Sequence, residues 1–320
     1  MKTLRRVRGA GFLFLVITVF FISPSGVSGA SISFDNQDKI LILAPHPDDE
    51  TINNGVTMAK YVAAGVRVTL VTCTRGEEGE VLVPSLSHLA SSNEDKLGEH
   101  RVEELAEAMR IIGVKDHRFL GAPHRQWRDS GMVGTEPNSR PDVFWNADLD
   151  DAARELLSVI LEVKPDVLIT YDTNGGYGHP DHIQAHRVAM RAAEFAREAG
   201  FSISKIYWNT IPRSVIEEGI EAMKKTGSDF MGVEKAEDFP FAQPDELVTT
   251  VVDGSDFVEK KMAAMKAHAT QISVDGPFFA LSNNLGLQVF GSEYYTLVHG
   301  EKAGPFDSKG RETDIFAGVK

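Results

Sequence analysis

The stretch Lys39-Ile-Leu-Ile-Leu-Ala44, continued by Pro-His-Pro-Asp-Asp-Glu50, decides the fold because it joins an apolar strand to a cluster of polar residues. The apolar part is too short for a helix and is typical of a buried strand. Proline suits the first turn of a following helix, and acidic residues there favour the helix dipole. Helix capping explains one or two of the carboxylates. It does not explain three acids and a histidine at one strand end.

Short apolar runs alternate with helical patterns along the rest of the chain. Further strands are predicted at residues 68–72 and 167–171, with weaker candidates at 206–208, 248–252 and 293–298. Helices are predicted at residues 49–64, 94–112, 152–164 and 180–200. This alternation predicts an α/β fold, a Rossmann-like and mainly parallel sheet with helices on both faces. Because ligands bind beyond the carboxyl ends of such strands, the loops after the first and third strands should meet there.

A second polar cluster follows the third strand, in Tyr171-Asp-Thr-Asn-Gly-Gly-Tyr-Gly-His-Pro-Asp-His182. Two histidines and one carboxylate form a known catalytic zinc arrangement that leaves one coordination position open. In the first cluster, His46 and Asp49 are three residues apart and can converge on one cation, which leaves Asp48 outside the ligand set. His186 is an alternative ligand, although a structural role is preferred. Cys73 is the only cysteine, which excludes thiolate-only and iron–sulfur ligation, and we expect it to be buried.

The two motifs, Pro45-His-Pro-Asp-Asp-Glu50 and Gly178-His-Pro-Asp-His182, resemble those of the LmbE/PIG-L family of zinc-dependent N-deacetylases. Segments at residues 72–80, 127–132, 268–271 and 279–285 are similar to the mycothiol-pathway branch of that family, which deacetylates N-acetylglucosaminyl-inositol. The resemblance covers roughly residues 39–300. It implies an LmbE-like fold and a small N-acetylated sugar as substrate.

The resemblance also implies a role for individual residues. The ligands of one zinc ion, with Fe²⁺ as the alternative metal, would be His46, Asp49 and His182. The catalytic residues would be Asp48 as general base, Tyr177 and His179 facing the developing oxyanion, and Asp181 orienting His179. The substrate hydroxyls, in a part of the substrate remote from the amide, would be held by Glu80, Arg101 and Asp129. The alternative for Arg101 is a surface residue paired with Glu99 or Glu104 of the same helix.

The domain organisation is predicted as a segment 1–30 followed by a single deacetylase domain over residues 31–320. Residues 121–148 form a long irregular stretch, which is typical of a lid or binding loop. Glu77 and Glu78, in an earlier loop, are expected to form a solvated face.

The first thirty residues have the pattern of a secretory signal peptide. Four basic residues (Lys2, Arg5, Arg6 and Arg8) precede an apolar run over 9–22 and small residues up to Ala30. The alternative is an uncleaved membrane anchor, although the run is shorter than the ~20 residues that span a bilayer. We therefore expect export, with membrane contact only through this segment. Export departs from the resemblance, because a thiol-pathway enzyme is expected in the cytoplasm.

Other functions remain as alternatives. The net charge of −13 argues against a nucleic-acid partner. The export pattern favours a deacetylase of exported glycans or chito-oligosaccharides, and an amidase of a larger amide would use the same metal site. A phosphatase with an aspartyl nucleophile would need a different turn after the first strand. A non-catalytic sugar-binding module would be expected to lack part of the metal set.

Overall fold

Strand β1 (Lys39–Ala44) lies in the middle of a mixed sheet, with β2 (Arg67–Thr72) on one side and β4 (Val167–Thr170) on the other. It is parallel to both neighbours. The structure, a computed structural model, describes residues 38–226, 233–239, 242–274 and 291–319. The segment 1–30 and the segment 279–285 lie outside these residues.

The sheet continues in both directions from this centre. Its remaining strands are β3 (Asp116–Phe119), β5 (Lys205–Pro212), β6 (Ala242–Gln243), β7 (Thr250–Asp253) and β8 (Ser292–His299). The order is β3-β2-β1-β4-β5-β8-β7, and β6 pairs with β5 outside this path. Pairing is parallel from β3 to β5 and antiparallel at β5–β8 and β8–β7. The predicted mainly parallel sheet is confirmed.

Helices cover both faces of the sheet. They are α1 (Asp49–Ala63), α2 (Leu97–Ile112), α3 (Leu149–Val163), α4 (Gly175–Gly178), α5 (Pro180–Glu198), α6 (Arg213–Thr226) and α7 (Val258–Ala267). Successive side chains of a strand point to opposite faces. Accordingly, Ile40 and Ile42 pack in a core with residues of α1, α2 and α7, whereas Leu41 and Leu43 pack with residues of α3 and α5. The predicted α/β architecture is therefore confirmed.

The sequence patterns located the four longest helices of the α/β core to within a few residues, but missed β3, α6 and α7. The described residues belong to one compact unit. Within the described residues, no helix is long and apolar enough to cross a membrane. An isolated bridge from Thr74 to Trp127 anchors the 121–148 loop, and a second bridge joins Arg128 to Val143 within it. Its function as a lid stays a prediction.

Candidate active site

The carboxyl ends of β1 and β4 lie side by side, because Ile40 pairs with Val167 and Ile42 with Ile169. The polar clusters that follow these two strands therefore meet at one edge of the sheet. The ring of His46 lies 4.8 Å from that of His179 and 5.2 Å from that of His182, measured between centroids.

Three side chains at this edge are close enough together that they could hold a single cation. Asp49 Oδ2 lies 3.3 Å from His46 Nδ1 and 3.4 Å from His182 Nε2. Ligand atoms about 2.0–2.1 Å from a tetrahedral ion lie about 3.4 Å from one another, so both separations fit such a site. Nδ1 of His182 contacts the carbonyl of Gly175 at 3.1 Å, which places the ring proton there and leaves Nε2 as the ligand atom. His179 also has a ring nitrogen within 4.8 Å of those of His46 and His182.

The surroundings favour protonation states that suit metal binding. Burial by itself raises the pKa of Asp49, but the attraction of His182 and hydrogen bonds from His46 and Tyr171 lower it well below its usual range. Burial lowers the pKa of His182 to about 4, so its ring is neutral at pH 7. Burial also lowers the pKa of His46, yet nearby carboxylates, chiefly Asp129, raise it well above its usual value. A cation bound at His46 Nδ1 therefore replaces a proton.

Asp48, directly before the first helix, has a different set of contacts. Its φ of 125° and ψ of −36° lie in a region that costs a residue other than glycine about 1–3 kcal/mol. Its Oδ2 accepts a hydrogen bond from Arg101 at 3.2 Å. Burial raises the pKa of Asp48 to about 7, although the attraction of Arg101 opposes this rise. A carboxyl group with such a pKa can take up and return a proton near neutral pH, as a general base must.

Arg101 reaches from α2 to the loop that carries Asp48. Its guanidinium donates to the carbonyls of Pro47 and Gly76, at 2.5 and 2.8 Å. Only 3% of its surface is exposed, so the alternative of a surface residue paired on its own helix is wrong. The physical reason is that the carbonyls of Pro47 and Gly76 and the carboxylate of Asp48 surround the guanidinium. The carboxylate of Glu104 instead accepts hydrogen bonds from Thr270. Arg101 lines the cavity and contacts Asp48, so its binding of substrate hydroxyls stays a prediction.

His179 and Asp181 interact through the backbone of Asp181. The N–H of Asp181 donates to His179 Nδ1 at 3.1 Å, so the proton of the neutral ring lies on Nε2. Burial, together with His46 and His182, lowers the pKa of His179 to about 3. This contact fits the predicted orientation of His179 by Asp181, although the backbone N–H makes it and the carboxylate does not. That carboxylate lies 3.1 Å from His46 Nε2 and accepts hydrogen bonds from Ser130, because these donors lie beside it.

Tyr177 lies edge-on to His182, with ring centroids 4.9 Å apart, and 6.0 Å from His179. Burial raises the pKa of its hydroxyl, so this group stays protonated near neutral pH. Tyr177 and His179 both line the cavity at the site. They can therefore offer donors to a developing negative charge.

The residues expected to hold substrate hydroxyls occupy different depths. Asp129 is buried, 3.6 Å from His46 Nε2, and its carboxylate accepts the N–H groups of Glu78 and Gly131. Glu80 is exposed, and its side chain lines the cavity. Hence Asp129 lies close to the metal-binding side chains, whereas Glu80 lies nearer to solvent.

A cavity of about 580 Å³ opens over these side chains. Its lining carries the polar groups described above. The lining also contains apolar side chains, which include Ile211, Ile216, Phe239 and Ile272. The volume is typical of sites that bind a ligand of disaccharide size.

The hydrogen-bond partners of the motif residues were not predicted from the sequence. Tyr171 donates its hydroxyl to Asp49 Oδ1 at 2.5 Å, and Asn53 donates to that hydroxyl at 2.7 Å. The only sequence signal for Tyr171 was its position as the first residue of the second polar cluster. His186 contacts the carbonyl of Tyr171 at 3.0 Å, which fits a structural role. The expected solvated face is wrong for Glu77, which is buried and accepts the N–H of Asp129.

Comparison with known proteins assigns this site to a family. A family model described as PIG-L, GlcNAc-PI de-N-acetylase, matches residues 41–193, which contain both motifs. A Geodermatophilus obscurus protein named 1D-myo-inositol 2-acetamido-2-deoxy-alpha-D-glucopyranoside deacetylase is 56% identical over 291 residues, covering 88% of this chain and 98% of that protein. The protein of the same name from Acidothermus cellulolyticus is 55% identical over 282 residues, covering 88% and 94%. The chain belongs to the PIG-L family. The family predicted from the motifs is therefore confirmed.

Solved structures share the fold of this PIG-L deacetylase family member. N,N'-diacetylchitobiose deacetylase from Pyrococcus horikoshii has a TM-score of 0.52 at 21% identity, covering 82% of this chain and 84% of its own. GalB, the 4-carboxy-2-hydroxymuconate hydratase from Pseudomonas putida, has a TM-score of 0.55 at 19% identity, covering 84% and 100%. Because the same fold supports a deacetylase and a hydratase, these likenesses show the fold alone.

Proposed function

We propose that this chain is a metal-dependent hydrolase that removes the acetyl group from N-acetylglucosaminyl-inositol. The relatives that are 55–56% identical are named as deacetylases of this glycoside. One observation in the site carries the proposal. The Asp48 carboxyl, with a pKa of about 7, lies in the same cavity lining as the buried set of His46, Asp49 and His182.

The proposed metal is one zinc ion per chain, with Fe²⁺ as the alternative. The residues that would hold it are His46, Asp49 and His182, whose donor atoms and spacing suit a tetrahedral ion. When bound, the metal supplies Lewis-acid polarisation of the amide carbonyl. The Asp181 carboxylate would keep the His46 ring in position through its contact with Nε2.

The side chains of the site support amide hydrolysis by water. Asp48 accepts a proton from water as the water oxygen bonds to the amide carbon, and returns that proton to the sugar nitrogen as the C–N bond breaks. The products are acetate and the free amine. The hydroxyl of Tyr177 and Nε2–H of His179 would donate hydrogen bonds to the carbonyl oxygen as its charge develops.

Substrate hydroxyls would be bound by Asp129 and, nearer to solvent, by Glu80. Arg101 would act mainly on Asp48, which it contacts directly.

We further propose that the first thirty residues direct export. This pattern favours a second candidate function, the deacetylation of an exported glycan or chito-oligosaccharide by the same site.

The test is acetate release by the purified chain from three substrates: N-acetylglucosaminyl-inositol, free N-acetylglucosamine and chito-oligosaccharides. We expect the inositol glycoside to have the highest kcat/KM, and exhaustive chelation to abolish activity while circular dichroism shows a folded protein. A preference for chito-oligosaccharides would replace the first candidate by the second. Full activity after chelation would contradict the metal-dependent mechanism.

A further inference from the structure

The backbone N–H of Asp48 is held by the side chain of Glu50. The N–H donates to Glu50 Oε2 at 2.9 Å. The other oxygen of Glu50 accepts the hydroxyl of Thr51 at 2.6 Å and lies 2.8 Å from Nε2 of His268. Glu50 and His268 are both 0% exposed and neither lines the cavity, so neither can touch a substrate. Among the described residues, their contacts lead to Asp48, to Thr51 and to the protein interior.

His268 is itself anchored from a distant helix. It follows α7, and its carbonyl accepts the N–H groups of Gln271 and Ile272, at 3.0 and 2.8 Å. Two residues further on, Thr270 donates its N–H and its hydroxyl to the two oxygens of Glu104 in α2, at 2.8 and 2.7 Å. A continuous series of buried contacts thus runs from α2, through the turn after α7, to Asp48.

A buried polar pair of Glu50 and His268 at this position is not explained by packing. Replacing such a pair by apolar side chains of similar volume often leaves stability unchanged or increases it. A carboxylate, however, offers two acceptors in a fixed plane, one for the Asp48 N–H and one for His268. Asp48 needs such a restraint, because its φ of 125° is unfavourable for a residue with a side chain.

We infer that Glu50 and His268 are positioning residues that fix the backbone of Asp48, and through it the direction of the Asp48 carboxylate. The inference rests on the proposed function, in which that carboxylate is the general base. Arg101 holds the same residue from the other side, through the Asp48 carboxylate and the Pro47 carbonyl. The competing explanation is that Glu50 only stabilises the start of α1.

The kinetic test compares variants Glu50→Ala, Glu50→Gln and His268→Gln on N-acetylglucosaminyl-inositol, with metal content measured for each. We expect Glu50→Ala to lower kcat about tenfold to a hundredfold, as misplacement of a catalytic group does. KM should stay within about threefold and metal content unchanged, because the ligands are other residues. Glu50→Gln should recover part of kcat, since its amide oxygen can still accept the Asp48 N–H.

The matched control is Glu312→Gln, at another glutamate with 0% exposure. Glu312 pairs with Lys205 at 2.6 Å and does not line the cavity. It should lose stability but keep the wild-type kcat. A Glu50→Ala variant with wild-type kcat, or with a loss no larger than that of the control, would overturn the inference.

Amide hydrogen exchange supplies a readout that needs no turnover. Because Pro45 and Pro47 lack an N–H, exchange within residues 45–48 reports only on His46 and Asp48. The Asp48 amide should exchange slowly in the wild type and faster in His268→Gln. An unprotected Asp48 amide in the wild type would refute the positioning role. If the wild type instead shows protection but releases no acetate from any substrate, the proposed function fails and the inference fails with it.

Discussion

Replacing Tyr171 by phenylalanine removes one hydroxyl from the metal site and keeps the ring. That hydroxyl donates to Asp49 Oδ1 at 2.5 Å and accepts from Asn53 at 2.7 Å. A hydrogen bond to a charged group contributes about 1.5–3 kcal/mol, which sets an upper bound of about 150-fold on the loss of metal affinity. The bond is present without metal as well, so only its preorganisation of Asp49 affects binding. We therefore expect a loss of about tenfold to a hundredfold, as for other groups that orient metal ligands.

Tyr61→Phe is the matched control for this experiment. The hydroxyl of Tyr61 also donates to a buried carboxylate, that of Asp314, at 2.8 Å, but Tyr61 does not line the cavity. Both variants should lose stability, by about 1–3 kcal/mol, since each removes a buried hydrogen bond. Only Tyr171→Phe should bind metal more weakly.

Metal affinity is measured by competition with a chromophoric chelator, and stability by denaturant unfolding with excess chelator. The second measurement separates folding from metal binding. If Tyr171→Phe binds metal as tightly as the wild type, the Tyr171 hydroxyl does not preorganise Asp49 for metal binding. The same conclusion follows if Tyr61→Phe weakens metal binding by the same factor, because the effect would then come from general loosening of the fold.

Three further predictions concern the base, its partner and the N-terminal segment. Asp48→Asn should keep one metal per chain while kcat falls by about 10²–10⁴, the usual contribution of a general base; loss of metal in this variant would make Asp48 a ligand. Arg101→Ala should lower kcat/KM for the inositol glycoside and for free N-acetylglucosamine by similar factors, because Arg101 contacts Asp48; a loss confined to the glycoside would return Arg101 to substrate binding. Intact-mass measurement of the protein expressed with its first thirty residues should show cleavage near Ala30; a soluble form that retains Met1 would contradict export.

The strands and helices that the sequence predicts are those whose side chains lie in a uniform environment. After Lys39, strand β1 is buried on both faces, so the side chains from Ile40 to Ala44 are all apolar and the type of element is evident. Strand β3 has the sequence Asp-His-Arg-Phe at the sheet edge, and its polar composition conceals it. Helix α7 carries the buried Lys261, whose ammonium group pairs with Glu293 at 2.7 Å. A charged residue on the inner face breaks the apolar stripe on which helix prediction depends.

The candidate site likewise contains residues that can be predicted from the sequence and residues that cannot. His46 and Asp49 are three residues apart after one strand, so sequence spacing alone can suggest that they share a cation. The partners of this motif come from distant positions: Tyr171 is 122 residues from Asp49, and His268 is 218 residues from Glu50. Such pairs depend on how helices and loops pack over the strand ends. No local pattern in the sequence encodes them.

Three consecutive acids show why the distant contacts decide the chemistry. Burial raises the pKa of Asp48 to about 7, because the opposing attraction of Arg101 only partly compensates. Burial acts in the same direction on Asp49 and Glu50, but histidines at both positions reverse it and lower the pKa of each carboxyl. Of three neighbouring carboxyl groups, one is therefore suited to exchange protons at neutral pH and two are suited to remain ionised. Composition assigns the same chemistry to all three, whereas the fold gives each a different environment, in keeping with the proposed roles of base, metal ligand and support for the base.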